Sequence, residues 1–247
     1  ARYVDPEMKA AGEKVPSFLV SADGHVDEPA DMFNELPPSI LDRMTRPKVQ
    51  PDTRPKGGSD PAVRITDMDI DGVAAEVLYP TFTLGLFASE PDVQEAAFRV
   101  YNDWIADFCN TSPKRLFAIP CISVYDIDGA IKEMHRCNDM GLKGALVWQV
   151  PDPKLPLTSP HYEKLWAAAA EMDYPLNFHI LTGFNYFREK RAGMEKVRGS
   201  VNIKTSEVVT TVFDLIWSGV FERHPKLTVE IVEGEIGWIP FILQQWD

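Results

Sequence analysis

The sequence predicts an α/β fold in which a parallel sheet is covered by helices, and three observations carry that expectation. Apolar strand-like segments alternate strictly with amphipathic helical ones along the chain. The strand segments are near-continuous apolar runs, as strands buried on both faces require. No G-x-G-x-x-G follows the first strand and no G-x-x-x-x-G-K-[ST] occurs anywhere. Of the two common solutions, an open doubly wound sheet and a (β/α)8 barrel, the open sheet thereby loses its nucleotide-binding versions.

Phe18–Ala22 is a short apolar run between polar flanks, which reads as a buried first strand. The Pro-rich stretch from Glu28 to Pro61 is too irregular for one element. Asp60-Pro61 then reads as an N-cap with proline in the first helical position. That helix runs through Val63, Ile65 and Met68 and stops near Gly72, and Ala75–Tyr79 follows as the second strand, ended by Pro80. Ser89-Glu-Pro-Asp92 has the form of a capping box. Behind it Val93, Ala97, Val100, Trp104 and Phe108 recur at three- and four-residue steps, one face of a long helix. Leu116–Ile122 is the third strand, and a helix carrying Ile127, Ala130, Ile131 and Met134 closes at Gly141. Gly144–Trp148 is the fourth strand, and Ser159-Pro160 opens a helix with Leu165, Trp166, Ala169 and Met172. Leu176–Leu181 is the fifth strand, followed by a helix holding Val208, Val212, Phe213 and Ile216. Leu227–Val232 is the sixth, and Ile236–Trp246 the last helix.

Composition narrows the function classes. The 247 residues carry 25 Lys plus Arg against 37 Asp plus Glu, a net charge of −12 with no basic run, which disfavours nucleic acid as a partner. Hydrophobic residues at 45% supply a sizeable core. No run reaches the roughly 18 apolar residues of a membrane span, so no membrane partner is expected. Ala1–Val15 is charged and lacks the apolar stretch of a secretory signal. Three cysteines without C-x-x-C spacing argue against a disulfide framework or a thiolate zinc site, and so for a reducing, cytoplasmic location.

On parallel α/β folds the chemistry gathers at the C-terminal strand ends. Asp23 and His25 follow the first strand, His179 lies in the distal half of the fifth, and Glu233 caps the sixth. Imidazole nitrogen and carboxylate oxygen delivered to one sheet end are the donors a divalent metal takes. Each residue also has a structural reading. His179 would be a core histidine, Asp23-Gly24-His25 a turn, and Glu233 a carboxylate at a helix N-terminus. His135, His161 and His224 read as structural, and Lys143 faces the opposite sheet end.

The segment Ser21-Ala-Asp-Gly-His-Val-Asp-Glu-Pro29 resembles the opening motif of the amidohydrolase-related (amidohydrolase 2) family, which includes the aminocarboxymuconate-semialdehyde and resorcylate decarboxylases. Met68–Gly72 leading into Glu76–Pro80, Gly141–Gly144, Phe178–Ile180 and Val232–Pro240 extend the resemblance over most of the chain. It implies a TIM-type (β/α)8 barrel of about 250 residues. It also implies a metal held by Asp23, His25 and His179, with Glu233 in a place where many relatives carry histidine.

About six βα units of that barrel are present, in one domain over residues 1–247 that lacks its last two units, and with them the family's aspartate after the eighth strand. Two open sheet edges would be an aggregation hazard, so the expectation is a truncated version of a longer protein, ahead of a reduced barrel completed by another subunit; a homo- or hetero-oligomer is also expected. The expected cofactor is a divalent metal, zinc first, with iron or manganese as alternatives, and the expected activity hydrolysis or non-oxidative decarboxylation of a small carboxylate-bearing substrate. Glu233 and His179 are the expected catalytic residues; Phe82, Trp148 and Arg188 the expected substrate contacts, Arg188 pairing the anion; Phe87, Phe184 and Tyr186 flank them. Two other readings stay open: a dinuclear iron or manganese oxygenase on the same barrel, and a non-catalytic partner subunit.

Overall fold

Strand and helix alternate as the hydrophobic pattern demands, in the computed structural model of residues 18–44, 54–183 and 206–247. The strands are β1 (Leu19–His25), β2 (Val73–Tyr79), β3 (Leu116–Ala118), β4 (Ala145–Val147), β5 (Leu176–His179) and β6 (Val229–Val232). The helices are α1 (Pro38–Leu41), α2 (Pro61–Asp71), α3 (Pro91–Asn110), α4 (Ile127–Asp139), α5 (Glu163–Met172), α6 (Val208–Trp217), α7 (Val220–Arg223) and α8 (Ile239–Trp246).

All pairings are parallel and follow chain order, β1-β2-β3 and β4-β5-β6. The two halves are stitched by a bridge between Cys121 and Leu146 and by Ile122 N–H donating to the Leu146 carbonyl at 2.9 Å. This is barrel order without the strand reversal of an open doubly wound sheet. Among the described residues β6 does not pair with β1.

Several boundaries differ from those the sequence suggests, each for a local reason. β1 runs on through His25, so Asp23 and His25 lie on the strand rather than after it. β3 stops at Ala118 because Pro120 has no N–H to donate. The side chain of Asn102 takes over there, donating to the Cys121 carbonyl at 3.0 Å and accepting from its N–H at 2.8 Å. β5 ends at His179, two residues before Leu181 turns to φ 69°. The capping box at Ser89 does not form. Glu90 is the N-cap, with extended backbone (ψ 157°), and Pro91 takes the first helical position, because proline suits that position and forces its predecessor out of the helical region. Asp60 caps α2 as expected, accepting from Ala62 N–H and Val63 N–H, and Gly72 closes it in the left-handed conformation (φ 74°). The last helix starts at Ile239, not Ile236.

The core is continuous from Leu78, Leu116 and Leu146 on the strands to Phe98, Ile105, Met134 and Trp166 on the helices. Glu133 ties α4 to α3, accepting from Asn102 at 2.9 Å and from Arg136 at 2.6 and 2.8 Å. Burial pushes its carboxyl up, but the Arg136 and Asn102 hydrogen bonds outweigh burial, and the carboxyl ends below its ordinary value. A lowered folded value means the stabilisation is complete above the ordinary carboxylate range, about pH 4.3, and fades as pH falls through the folded value. Glu133→Gln should therefore lower the urea midpoint at pH 7, and the gap to wild type should shrink on acidification. A gap constant from pH 7 to pH 3 would refute this.

Candidate metal centre

β1 carries two of the functional side chains to the sheet end by simple alternation, since residues two apart share a face. Its register with β2 slips between Ser21 and Gly24, an irregularity of the kind that re-aims side chains beside functional sites. Gly24 stands between Asp23 and His25 because nothing larger fits: a Cβ there would lie 2.9 Å from the Arg64 guanidinium and 3.3 Å from the Val77 carbonyl. Arg64, on α2, pairs with Glu76 of β2 at 2.5 Å and donates to the His25 carbonyl at 2.8 Å. β5 supplies the third residue, His179, whose side chain is fully buried.

Three donor atoms converge. His25 Nε2 lies 3.5 Å from Asp23 Oδ1, His179 Nε2 lies 3.6 Å from the same oxygen, and the two Nε2 atoms are 3.2 Å apart. Zinc–ligand bonds of about 2.1 Å put tetrahedral donors roughly 3.4 Å apart, so the triangle has the size of one face of a coordination sphere. The protonation pattern fits as well. His25 Nδ1 faces the Pro80 carbonyl at 2.9 Å and His179 Nδ1 faces the Ile180 carbonyl at 2.6 Å. A carbonyl only accepts, so each Nδ1 carries a hydrogen, and Nε2 is the nitrogen each ring turns toward the other two donors. Two ring nitrogens and a carboxylate oxygen thus meet at one point, as the ligands of one cation do. This donor set suits a divalent cation, and it is the one such group of three among the described residues.

The shell behind the donors is built from β2 and the chain after β1. The Tyr79 ring sits 5.3 Å from His179 and 6.4 Å from His25. Its hydroxyl donates to Asn177 Oδ1 of β5 at 2.6 Å, spanning the barrel from one three-stranded half to the other. Burial, then the negative charges of Glu230 and Asp23, push the phenol far above its ordinary value, so it stays a neutral donor. Glu28, 3% exposed, accepts from three consecutive backbone N–H groups, Thr81 at 3.2 Å, Phe82 at 3.0 Å and Thr83 at 2.8 Å.

The other sequence candidates fall in different places. Glu233 is half-buried one residue past Val232, the register partner of His179, but its carboxylate is not part of the three-residue group. Its backbone is left-handed at φ 56°, rare for a residue with a side chain. Trp148 is 1% exposed; its indole N–H donates to the Tyr162 hydroxyl and its ring packs on Tyr125 at 4.7 Å. Phe82 is half-buried, with the Arg54 guanidinium 4.7 Å above its ring. Phe87 is buried against Phe98. Arg188, Phe184 and Tyr186 lie outside the described residues. Glu28, Arg64, Tyr79 and Asn177 escaped the sequence reading, although Glu28 and Tyr79 stand inside the segments that carry the family resemblance.

Comparison with known proteins agrees with this geometry. A family model described as amidohydrolase matches residues 22–247. A γ-resorcylate decarboxylase of Rhizobium sp. strain MTP-10005 is 28% identical over 242 residues, covering 94% of this chain and 67% of that protein. Its counterpart in Rhodococcus jostii is 30% identical over 156 residues, covering 59% of this chain and 47% of that one. Among solved structures, an amidohydrolase from Mycobacterium avium subsp. paratuberculosis superposes with a TM-score of 0.72 at 18% identity, over 92% of this chain and 74% of that one. A 5-carboxyvanillate decarboxylase from Novosphingobium aromaticivorans, solved with manganese, gives 0.69 at 19% identity, over 93% and 70%. Strand order, the donor triangle at the strand ends and a family match over nearly the whole chain lead to one assignment: the chain belongs to the amidohydrolase family.

Proposed function

We propose that this protein is a metal-dependent, non-oxidative decarboxylase of a small aromatic carboxylate. The observation that carries the reading is the triangle of Asp23 Oδ1, His25 Nε2 and His179 Nε2. Support for decarboxylation comes from the relatives, which are named as decarboxylases of resorcylate and of related acids. Manganese in the 5-carboxyvanillate and dihydroxybenzoic acid decarboxylase structures favours that ion over the zinc expected from donor chemistry alone.

Asp23, His25 and His179 would hold the cation. The chemistry it supplies when bound is Lewis-acid polarisation of a substrate oxygen. In the proposed reaction the bond from ring carbon to carboxylate breaks, CO2 leaves, and the electron pair stays on the ring carbon. Glu233 then passes a proton from solvent to that carbon; its place beside β5 and its left-handed backbone support the role. Phe82 is proposed to shape the aromatic subsite, and Arg188 to pair the substrate anion; Trp148, buried against Tyr125 and Tyr162, is not proposed as a substrate contact. Among the described residues the donors form one group of three, which supports one metal rather than the two of a dinuclear oxygenase, and a complete donor triangle supports a catalytic over a non-catalytic subunit. The three cysteines, unpaired and buried, support a reducing, cytoplasmic compartment. No described helix is long and apolar enough to cross a membrane. An oligomer of like or unlike subunits remains part of the proposal.

The test is CO2 release from 2,6-dihydroxybenzoate and 5-carboxyvanillate by protein reconstituted with manganese or with zinc. Release that His179→Ala abolishes is expected. Glu233→Gln should lower turnover about 10²-fold or more, the range of a lost acid–base catalyst, while bound metal stays unchanged. Fully metal-loaded protein that leaves both acids intact would contradict the reading.

A further inference from the structure

We propose that Glu28 is a positioning residue for the metal centre: its carboxylate fixes the turn after β2, and through that turn it fixes the His25 imidazole. The inference rests on the metal reading above and adds a residue to it.

The connection is short: hydrogen bonds joined by a single peptide link. The Glu28 carboxylate accepts the N–H groups of Thr81, Phe82 and Thr83. Thr81 directly follows Pro80, whose carbonyl accepts from His25 Nδ1 at 2.9 Å. Val26 N–H donates back to the Tyr79 carbonyl at 3.0 Å. Residues 25–28 and 79–83 thus clasp each other. The position of one carbonyl within that clasp decides which way His25 points and which of its nitrogens carries the hydrogen.

The chemistry of the clasp requires a carboxylate. It is 3% exposed, and no cation pairs with it among the described residues. Burial pushes this carboxyl up, and the hydrogen bonds from Phe82 and Thr83 offset only part of the rise; its two oxygens are the acceptors for three converging backbone N–H groups, a concavity of the kind successive N–H groups make. A fold needing only to fill this space would use an apolar side chain. A two-oxygen acceptor instead over-determines the turn, because all three N–H groups must point at one pair of oxygens. Phe82 is the middle residue, so the same carboxylate also sets where its ring stands.

Glu28→Gln is the discriminating substitution. It keeps the shape but offers one oxygen, and its amide hydrogens face backbone N–H groups that are donors themselves. Metal-free wild type, Glu28→Gln and His179→Ala are titrated with Mn2+ alone, followed by the EPR signal of the free ion, at a temperature where circular dichroism shows each folded. The expected result is a Kd for Mn2+ about 10–100-fold weaker in Glu28→Gln, the range for residues behind metal ligands, with binding lost in His179→Ala. A Kd within twofold of wild type, while His179→Ala fails to bind, overturns the role of Glu28 and leaves the metal reading standing. Binding in His179→Ala as tight as in wild type overturns the metal reading and this inference with it. A purely structural Glu28 would lower Tm without moving Kd. If Glu28→Gln does not fold, Glu28→Asp, which keeps the carboxyl group but withdraws it by one methylene, is read by the same criterion.

Discussion

His179→Ala should cost the protein at least about 100-fold in affinity for a divalent cation, more than the 10–100-fold that follows loss of a residue behind the ligands. The imidazole contributes one of three donor atoms, all within 3.6 Å of one another, and alanine has no atom that reaches the gap. The fold should survive. Phe178 beside it and Leu176 three residues before it pack into a core that does not depend on the ring. Stability measured with and without metal separates these effects: a ligand at 100 times its Kd adds about 2.7 kcal/mol to wild type, and none of that gain should appear in the variant. Asp23→Ala and His25→Ala should behave alike, as members of one donor set. A variant that still gains Tm from Mn2+ as wild type does would place the metal elsewhere.

Arg64→Ala should be the most destabilising single substitution near the site, by about 3–5 kcal/mol. The guanidinium and its partner Glu76 are 12% and 13% exposed, so truncation strands a nearly buried carboxylate. It also deprives the His25 carbonyl of a donor at 2.8 Å. Glu76→Gln should cost less, because a neutral amide tolerates burial, and the double variant should recover part of the Arg64→Ala loss. Urea denaturation of the four proteins gives the coupling. A loss under about 1 kcal/mol, in the range of exposed pairs, would show that water reaches the pair.

The contrast between what the sequence reveals and what it hides has a physical basis. Alternating apolar runs report burial directly, so six strands, their parallel order and the helices between them were legible. Asp23, His25 and His179 were legible for a related reason: polar groups where strands of a parallel sheet end stand out against an apolar background. Glu28 was not, because its partners are backbone N–H groups, which leave no mark on the sequence. Tyr79 and Asn177 read as an aromatic and a polar residue on two separate strands; their hydrogen bond exists only once the strands face each other across the barrel. Trp148 looked like a residue of the mouth, yet its indole is buried against Tyr125, from the segment before α4, and Tyr162, from the 3-10 turn before α5. The capping box at Ser89 lost to Pro91, a competition between two valid local signals that the fixed φ of proline decides.

The central claim is that Asp23, His25 and His179 form a divalent metal site, and the most direct measurement is anomalous diffraction from crystals grown with manganese. The account predicts a manganese peak within bonding distance of Asp23 Oδ1, His25 Nε2 and His179 Nε2 together, absent from crystals of His179→Ala. A full-occupancy peak elsewhere, with those three atoms bonded to no metal, would contradict it.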